Sequence, residues 1–199
     1  MSFQQRRQKT EIFMTPTTSE QSLVYMRNLT VGFISHICYL RKLFPAKTFD
    51  VTKVGSREIR TFNRDKTDSQ LNEIIRSLSI GIEKSAIETI SLNVNVGGQV
   101  LESYTISMKE VQDIVDKDDL QMSVERSFHN LERAVGWMDE VPSDGTISFS
   151  VTSQKDKWGP SSQDTFHETE KRKIDLTKYK IGKVNTGFHG ANLTMRRAD

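Results

Sequence analysis

Apolar side chains cover most of the circumference of the segment from Leu23 to Pro45. Leu23, Met26, Phe33, Ile37, Leu40 and Phe44 form one stripe, and Leu29, Ile34, Cys38 and Leu43 widen it. A helix this apolar is sheathed by other elements, and this one is still too polar to span a membrane. Thr18-x-x-Gln21 supplies a capping box for its first free amides, and Pro45 is expected to end it. A buried central helix of this kind organises a domain.

The pattern downstream changes period several times. Val51, Val54, Ile59 and Phe62 flank Gly55 and predict two short strands between Phe49 and Phe62. A second helix is predicted from about Asp68, with Thr67-x-x-Gln70 as its capping box and Leu71, Ile74, Ile75, Leu78 and Ile82 on one face. Strict alternation follows: Ile90, Leu92, Val94 and Val96 lead into Gly97-Gly98, and Val100, Tyr104, Ile106 and Met108 return on one face, which reads as a β-hairpin. The acidic run Asp116 to Asp119 suits the start of a third helix, whose stripe is Val124, Phe128, Leu131, Val135 and Met138 and which stops before Pro142. Asp144-Gly145 then turns the chain into a strand with Ile147, Phe149 and Val151 on one side. From Ser153 to Lys173 the periodicity disappears for about twenty residues, a length that in compact domains belongs to functional loops. Ile174, Leu176, Tyr179, Ile181 and Val184, then Phe188, Leu193 and Met195, fit a final hairpin. The order predicts an α+β fold with three helices on one face of an antiparallel sheet.

Composition narrows what this fold does. The chain has 199 residues, enough for one domain, and its 28 Lys and Arg nearly balance its 26 Asp and Glu. The basic residues are scattered along the sequence, which argues against direct DNA binding. Cys38 is the single cysteine; with no disulfide framework in the chain the expected compartment is reducing. The polar, basic residues 1–17 have no apolar run behind them and read as a flexible arm rather than a secretory signal. No apolar stretch approaches the roughly 20 residues of a membrane helix, so no membrane role is expected.

Motifs of catalysis or metal binding are missing from the sequence. His36, His129, His167 and His189 have no ligand-like spacing, so no metal site is read. Asp116-x-Asp118-Asp119 lacks the glycine and closing glutamate of a calcium loop and fits a helix start. Gly97-Gly98 is not a phosphate-binding loop, and no nucleophile elbow occurs. No catalytic residue and no cofactor is assigned, and the reading is of a protein that is not an enzyme. A sheet with a free edge can instead take up an extended peptide as an extra strand, and an exposed edge beside a long aperiodic loop suggests such a use.

Two segments carry a resemblance. Ile37-Cys-Tyr-Leu-Arg-Lys-Leu-Phe-Pro45 resembles the end of the first helix of HORMA domains of meiotic chromosome-axis proteins, where Tyr-Leu-Arg is followed by Phe-Pro. Ile181-Gly-Lys-Val-Asn-Thr-Gly-Phe-His-Gly190 resembles the same subfamily's Val-Gly-x-Val-x-Thr-x-Phe-His stretch. Val135-Gly-Trp-Met-Asp-Glu-Val-Pro142, the Ile147 strand and Trp158-Gly-Pro160 occur between them in the expected order, and the likeness covers about residues 19–196.

The resemblance implies a module that clasps a partner's closure-motif peptide under a C-terminal safety belt. Residues 18–196 would form the domain, with core 18–152, belt and latch 153–196, and terminus 197–199. The peptide would pair with Thr146, Ile147, Ser148, Phe149, Ser150, Val151 and Thr152, helped by the belt aromatics Trp158 and Phe166. Tyr179, Ile181, Val184, Phe188 and Leu193 would latch the belt's hairpin to the far edge of the sheet, and His189 is expected to be a hydrogen-bonded structural residue. Implied partners are closure motifs of other axis or cohesin-associated proteins, other HORMA proteins of the same axis, and an AAA+ ATPase remodeller that engages the N-terminal arm. The implied setting is the nucleus and meiotic chromosomes, in axis assembly, homologue pairing, synapsis and recombination control. The alternative is a HORMA adaptor of the spindle checkpoint or of translesion DNA synthesis. Axis proteins commonly continue into a disordered tail with its own closure motif. This sequence stops at Asp199, so it gives no basis for self-assembly by tail capture.

Overall fold

A computed structural model describes residues 15–154 and 176–198. Helix α1 (Ser19–Leu40) runs through the centre, with Met26, Leu29, Phe33, Ile34, Ile37 and Cys38 all at most 2% exposed. Burial pushes the Cys38 thiol up, far from nucleophilic use. Its cap is a variant of the predicted box. Thr18 Oγ1 accepts from the Gln21 amide at 3.2 Å, but Gln21 Oε1 accepts from the backbone and hydroxyl of Thr17, one residue further back than a capping box requires.

The helix ends earlier than Pro45. Lys42 takes a left-handed backbone (φ +55°), and the Leu43 amide donates to the Cys38 carbonyl at 2.9 Å. This is a Schellman-type stop with lysine in the place usually taken by glycine. It frees Leu43 and Phe44 from the helical stripe and folds Phe44 onto Phe62, ring centroids 5.8 Å apart. Phe62 in turn stacks on Phe49 at 5.2 Å, within the two-stranded ribbon β1 (Phe49–Val54) and β2 (Arg57–Phe62). The turn of that ribbon is tied to the third helix: Glu125 accepts from the Ser56 hydroxyl at 2.6 Å and its amide at 3.1 Å.

Helix α2 (Ser69–Glu83) buries Leu71, Leu78 and Ile82. Its cap is Asp68, whose carboxylate accepts from the Leu71 amide at 2.8 Å. Thr67, the cap read from the sequence, instead donates its hydroxyl to the Asn63 carbonyl. The carboxylate one residue on is the stronger acceptor for a free helix amide. Helix α3 (Lys117–Gly136) starts from Asp116, which caps Asp118, and buries Val124, Phe128, Leu131 and Val135. Phe128 stacks on Phe33 of α1 with centroids 4.2 Å apart.

The main sheet is antiparallel, with strands β3 (Ile87–Val96), β4 (Gln99–Glu110), β5 (Thr146–Ser153), β6 (Leu176–Asn185) and β7 (His189–Ala198) in the order β5-β3-β4-β7-β6. The helices cover one face, built from Ile90, Leu92, Val94, Tyr104, Ile106, Phe149, Leu193 and Met195. The opposite face is a lawn of Ser, Thr and Asn: Ser91 and Thr105 bond across β3–β4, and Asn93 and Asn95 bond Ser150 and Ser148 across β3–β5. No helix is long and apolar enough to cross a membrane among the described residues.

Candidate functional site

Strand β5 lies at one edge of the sheet and pairs only with β3 among the described residues. Ile147, Phe149 and Val151 stand opposite Val94, Leu92 and Ile90, all buried, so their side chains join the helix-covered face. Ser148 and Ser150 point to the other face, each accepting an asparagine side-chain amide at 3.0 Å. Thr146 and Thr152 are exposed at the ends. The strand is thus fixed in register by its inner side chains while one side of its backbone faces away from the sheet. None of its residues is charged. Trp158 and Phe166 lie outside the described residues.

The chain leaves this edge after Ser153 and returns at the opposite edge as β6, four strand spacings or about 19 Å away. The C-terminal hairpin is part of the sheet: β7 pairs with β4 from Glu102–Arg197 to Glu110–His189, and β6 forms the outer edge. Of the expected latch residues, Ile181, Val184 and Leu193 are 4%, 0% and 2% exposed. The rings of Tyr179 and Phe188 behave differently, remaining 45% and 37% exposed. Phe188 holds the turn through its backbone, its carbonyl accepting from the Val111 amide at 2.9 Å. A β6 bulge at Ile181-Gly182 sets that strand against α3. A Cβ on Gly182 would come within 2.0 Å of Ser127 Oγ and 3.2 Å of its Cα, so only glycine lets strand and helix meet this closely. Asn130 seals the contact by donating to the Ile181 carbonyl at 2.9 Å.

A buried hydroxyl cluster locks the hairpin turn to α1. Ser22 Oγ lies 2.6 Å from Thr186 Oγ1 and 2.8 Å from His189 Nδ1. Thr186 Oγ1 also donates to the His189 carbonyl at 2.8 Å and accepts from its amide at 3.0 Å. With the Thr186 hydrogen used there, Ser22 donates to Thr186, and the His189 Nδ1–H completes the chain by donating to Ser22. Burial holds the His189 imidazole below its ordinary value, opposed by the nearby Glu110. His189 therefore takes the structural role expected of it.

Two buried charges complete the frame. Arg41, from the Tyr-Leu-Arg segment, grips Glu102 of β4 through Nε at 3.0 Å and Nη2 at 2.6 Å, and Nη2 also donates to the Asp139 carbonyl at 2.7 Å. The Tyr104 hydroxyl donates to the same carboxylate at 2.7 Å; burial, with Glu102 beside it, holds that phenol well above its ordinary range. Reading the alternation of β4 passes over Glu102, although its position two residues before Tyr104 on the same face is the signal of a paired carboxylate; Val100, read onto that face from the sequence, is set opposite Asn95 by a bulge in the β3–β4 ladder. His36 is likewise buried, with Nδ1 accepting from the Arg60 amide and Nε2 facing Glu132, both at 3.2 Å. Among the described residues no group of three or more His, Cys, Asp and Glu could hold a metal ion.

Comparisons with known proteins bear on this geometry. No curated protein matches the sequence. Solved structures match its fold over nearly the full length. One is a chain of a mitotic checkpoint complex, 15% identical, with a TM-score of 0.79, covering 93% of this chain and 99% of that one. Another is C. elegans HTP-2 bound to a HIM-3 closure motif, 13% identical, TM-score 0.77, covering 90% and 91%. A third is C. elegans HTP-1 bound to a HIM-3 closure motif, 15% identical, TM-score 0.74, also covering 90% and 91%. At these identities the likeness is one of fold. The model of the HORMA domain family matches residues 22–136, more than half of the 199, and the chain belongs to the HORMA domain family.

Proposed function

We propose that this chain is a peptide-clasping adaptor of the meiotic chromosome axis, and that the clasped segment adds as a strand to the free side of β5. The observation that carries this reading is the contrast between the two edges of the sheet. Strand β5 presents an uncharged edge, whereas the opposite edge, β6, carries Lys178, Lys180 and Lys183. Lysines along an edge discourage strand addition, so an edge without them is the one left open for use. Backbone bonds to Thr146–Thr152 would supply affinity, and alternate side chains would supply selectivity.

Residues 153–175 join that edge to the docked hairpin, so the segment acts as the belt and β6–β7 as its latch. Release of a belted peptide waits on the latch, and affinity is then expressed mainly as a slow dissociation rate. Strand pairing and wrapping need no catalytic group. The HORMA structures solved with closure motifs support the clasp, and the Tyr39-Leu-Arg41 and Thr186-x-Phe-His189 segments support the axis reading over a checkpoint or translesion role. Residues 1–17 are the proposed handle for an AAA+ remodeller.

The test is fluorescence anisotropy with labelled peptides from axis and cohesin-associated proteins, followed by a chase with unlabelled peptide. We expect tight binding, slow release, and loss of binding on truncation before Tyr179. Ser22→Ala with Thr186→Val loosens the latch while keeping the hairpin, and release should speed up by about tenfold for the one to two kcal/mol of buried hydrogen bonding removed. Release indifferent to both changes would overturn the belt. Binding confined to checkpoint or polymerase peptides would move the domain to that pathway.

A further inference from the structure

Where strands β3 and β4 part, the sheet opens into a cleft that the proposed clasp leaves aside. The β3–β4 ladder stops at Thr89–Ser107, while β4 continues beside β7 to Glu110–His189. The space at the parting measures about 580 Å³, within the range of small-ligand sites. Its apolar lining is Leu23 and Met26 of α1, Ile82 of α2, Ile87 and Met108.

His189 supplies the unusual group in that lining. The residue is only 6% exposed and borders the cleft. Its Nδ1–H is used on Ser22 at 2.8 Å, which leaves the lone pair of the neutral ring on Nε2. Among the described residues nothing donates to Nε2, and the only sealed side-chain polar atom without a partner is Thr30 Oγ1, so Nε2 reaches open space. An acceptor held on a buried ring and left facing a cleft is a place for a donor.

The surroundings select a donor with positive charge. Glu110, the cross-strand neighbour of His189, is exposed, and its one hydrogen bond among the described residues is a long one from Ser85 Oγ at 3.5 Å. Helix α2 ends at the cleft in a Schellman turn, with Ser85 left-handed at φ +52° and the Ala86 amide donating to the Gly81 carbonyl at 2.9 Å. The negative end of the α2 dipole is thereby brought to the space that Ile82 and Ser85 line. Glu88 adds a carboxylate at the rim, where it accepts from the Gln154 side chain at 3.4 Å. Lys109 is the one cation among the described lining residues, and it stands opposite Gly190, one position out of step with His189, so its side chain leaves from the helix-free face.

We infer that this cleft is a binding site for a lysine side chain presented by a partner protein. The ammonium would donate to His189 Nε2 and pair with Glu110, while its four-carbon stem would lie along Leu23, Met26 and Met108, as long basic side chains do when they bury their stems. Lysine fits better than arginine, because a single imidazole acceptor beside a carboxylate suits a compact donor, whereas a planar guanidinium calls for a bidentate one. The site does not depend on the clasp at β5.

The probe is N-acetyl-lysine N-methylamide, too short to add to β5 as a strand, compared with its norleucine counterpart and with pentylamine. Titration into the full chain is followed by the nitrogen NMR signals of the His189 ring and the methyl signals of Met26 and Met108. We expect the Nε2 signal to move as its lone pair accepts a hydrogen bond, with Nδ1 little changed, and the norleucine probe to bind at least about tenfold more weakly. Glu110→Gln, at an exposed position, should weaken binding about threefold, whereas Glu73→Gln, towards the other end of α2, should leave it unchanged. Binding should also fade from pH 7.5 to 5.5, because protonation puts a hydrogen and a positive charge on Nε2. The other groups around the ring are Glu110 from β4, Glu88 and Lys109 at the rim, and the hydroxyls of Ser22 and Thr186. Ordinary carboxylates, amines and hydroxyls titrate outside that range, so the loss reports the imidazole. Equal binding of the norleucine probe, an unmoved Nε2 signal, or affinity constant with pH would overturn the proposal. Pentylamine binding tenfold more tightly than the capped lysine would also overturn it, because the site would then be one for a free alkylamine.

Discussion

Arg41 and Glu102 are 5% and 0% exposed, and each supplies the opposite charge beside the other in the core. Removing one partner leaves a buried charge alone. Arg41→Met should therefore cost about 3–5 kcal/mol, read as a lowered midpoint in urea unfolding. Arg41→Met/Glu102→Leu should recover most of that loss, falling short by about 1 kcal/mol because Tyr104 loses its acceptor. A double variant as unstable as the single one would show that the pair supplies more than compensation of charge. The pair also marks where sequence reading stopped at this scale. Alternation put Tyr104 and Ile106 inside correctly, but its weighting of apolar residues passes over the carboxylate on the same face. The helix caps differ for a related reason: Thr18 caps α1 as read, while at α2 two adjacent residues compete and Asp68 prevails over Thr67. Such choices turn on single hydrogen bonds, which a sequence pattern does not resolve.

Among the elements, the hairpin β6–β7 depends on two close contacts that differ in kind. The first is steric. Gly182→Ala would press a methyl group into Ser127 and push β6 away from α3, at about 1–3 kcal/mol; faster amide exchange confined to β6 and β7 would report it. The second is electrostatic. Burial lowers His189 in the hairpin, and separately His36 of α1, below the ordinary 6.5. Glu110 opposes the shift at His189; at His36, Glu132 opposes it while Arg60 and Arg57 reinforce it. Between the folded and unfolded values the unfolded chain binds more protons, so stability falls as pH drops below about 6.5. Melting temperature should decline from about pH 7.5 to 5.5, and His189→Asn should flatten that slope. Glu125, held below its usual 4.5 by Ser56 and Gln121, adds its own loss only at more acidic pH. The elements themselves were legible because periods of 2 and 3.6 are properties of the chain. The end of α1 was not, since a left-handed lysine stops the helix where no glycine or proline stands.

For the molecule as a whole, periodicity supplied the strands but not their order. Nothing in the alternation of β7 says that it lies between β4 and β6 in the interior of the sheet; that placement follows the likeness to HORMA domains. Sequence patterns record which face of a strand is buried, and pairing partners distant along the chain leave no such mark. The order has a mechanical consequence. Nine residue pairs join β7 to β4, from Glu102–Arg197 to Glu110–His189. Tension along the strand axis, such as a load transmitted by a segment held against β5, strains these rungs together. A pull on the chain beyond Ala198 and across the sheet meets them one at a time, beginning at Arg197, beside the buried Arg41–Glu102 pair. The pairing gives the fastener a direction: it should hold under shear and open by peeling, and a buried ion pair sits at the rung where peeling would start.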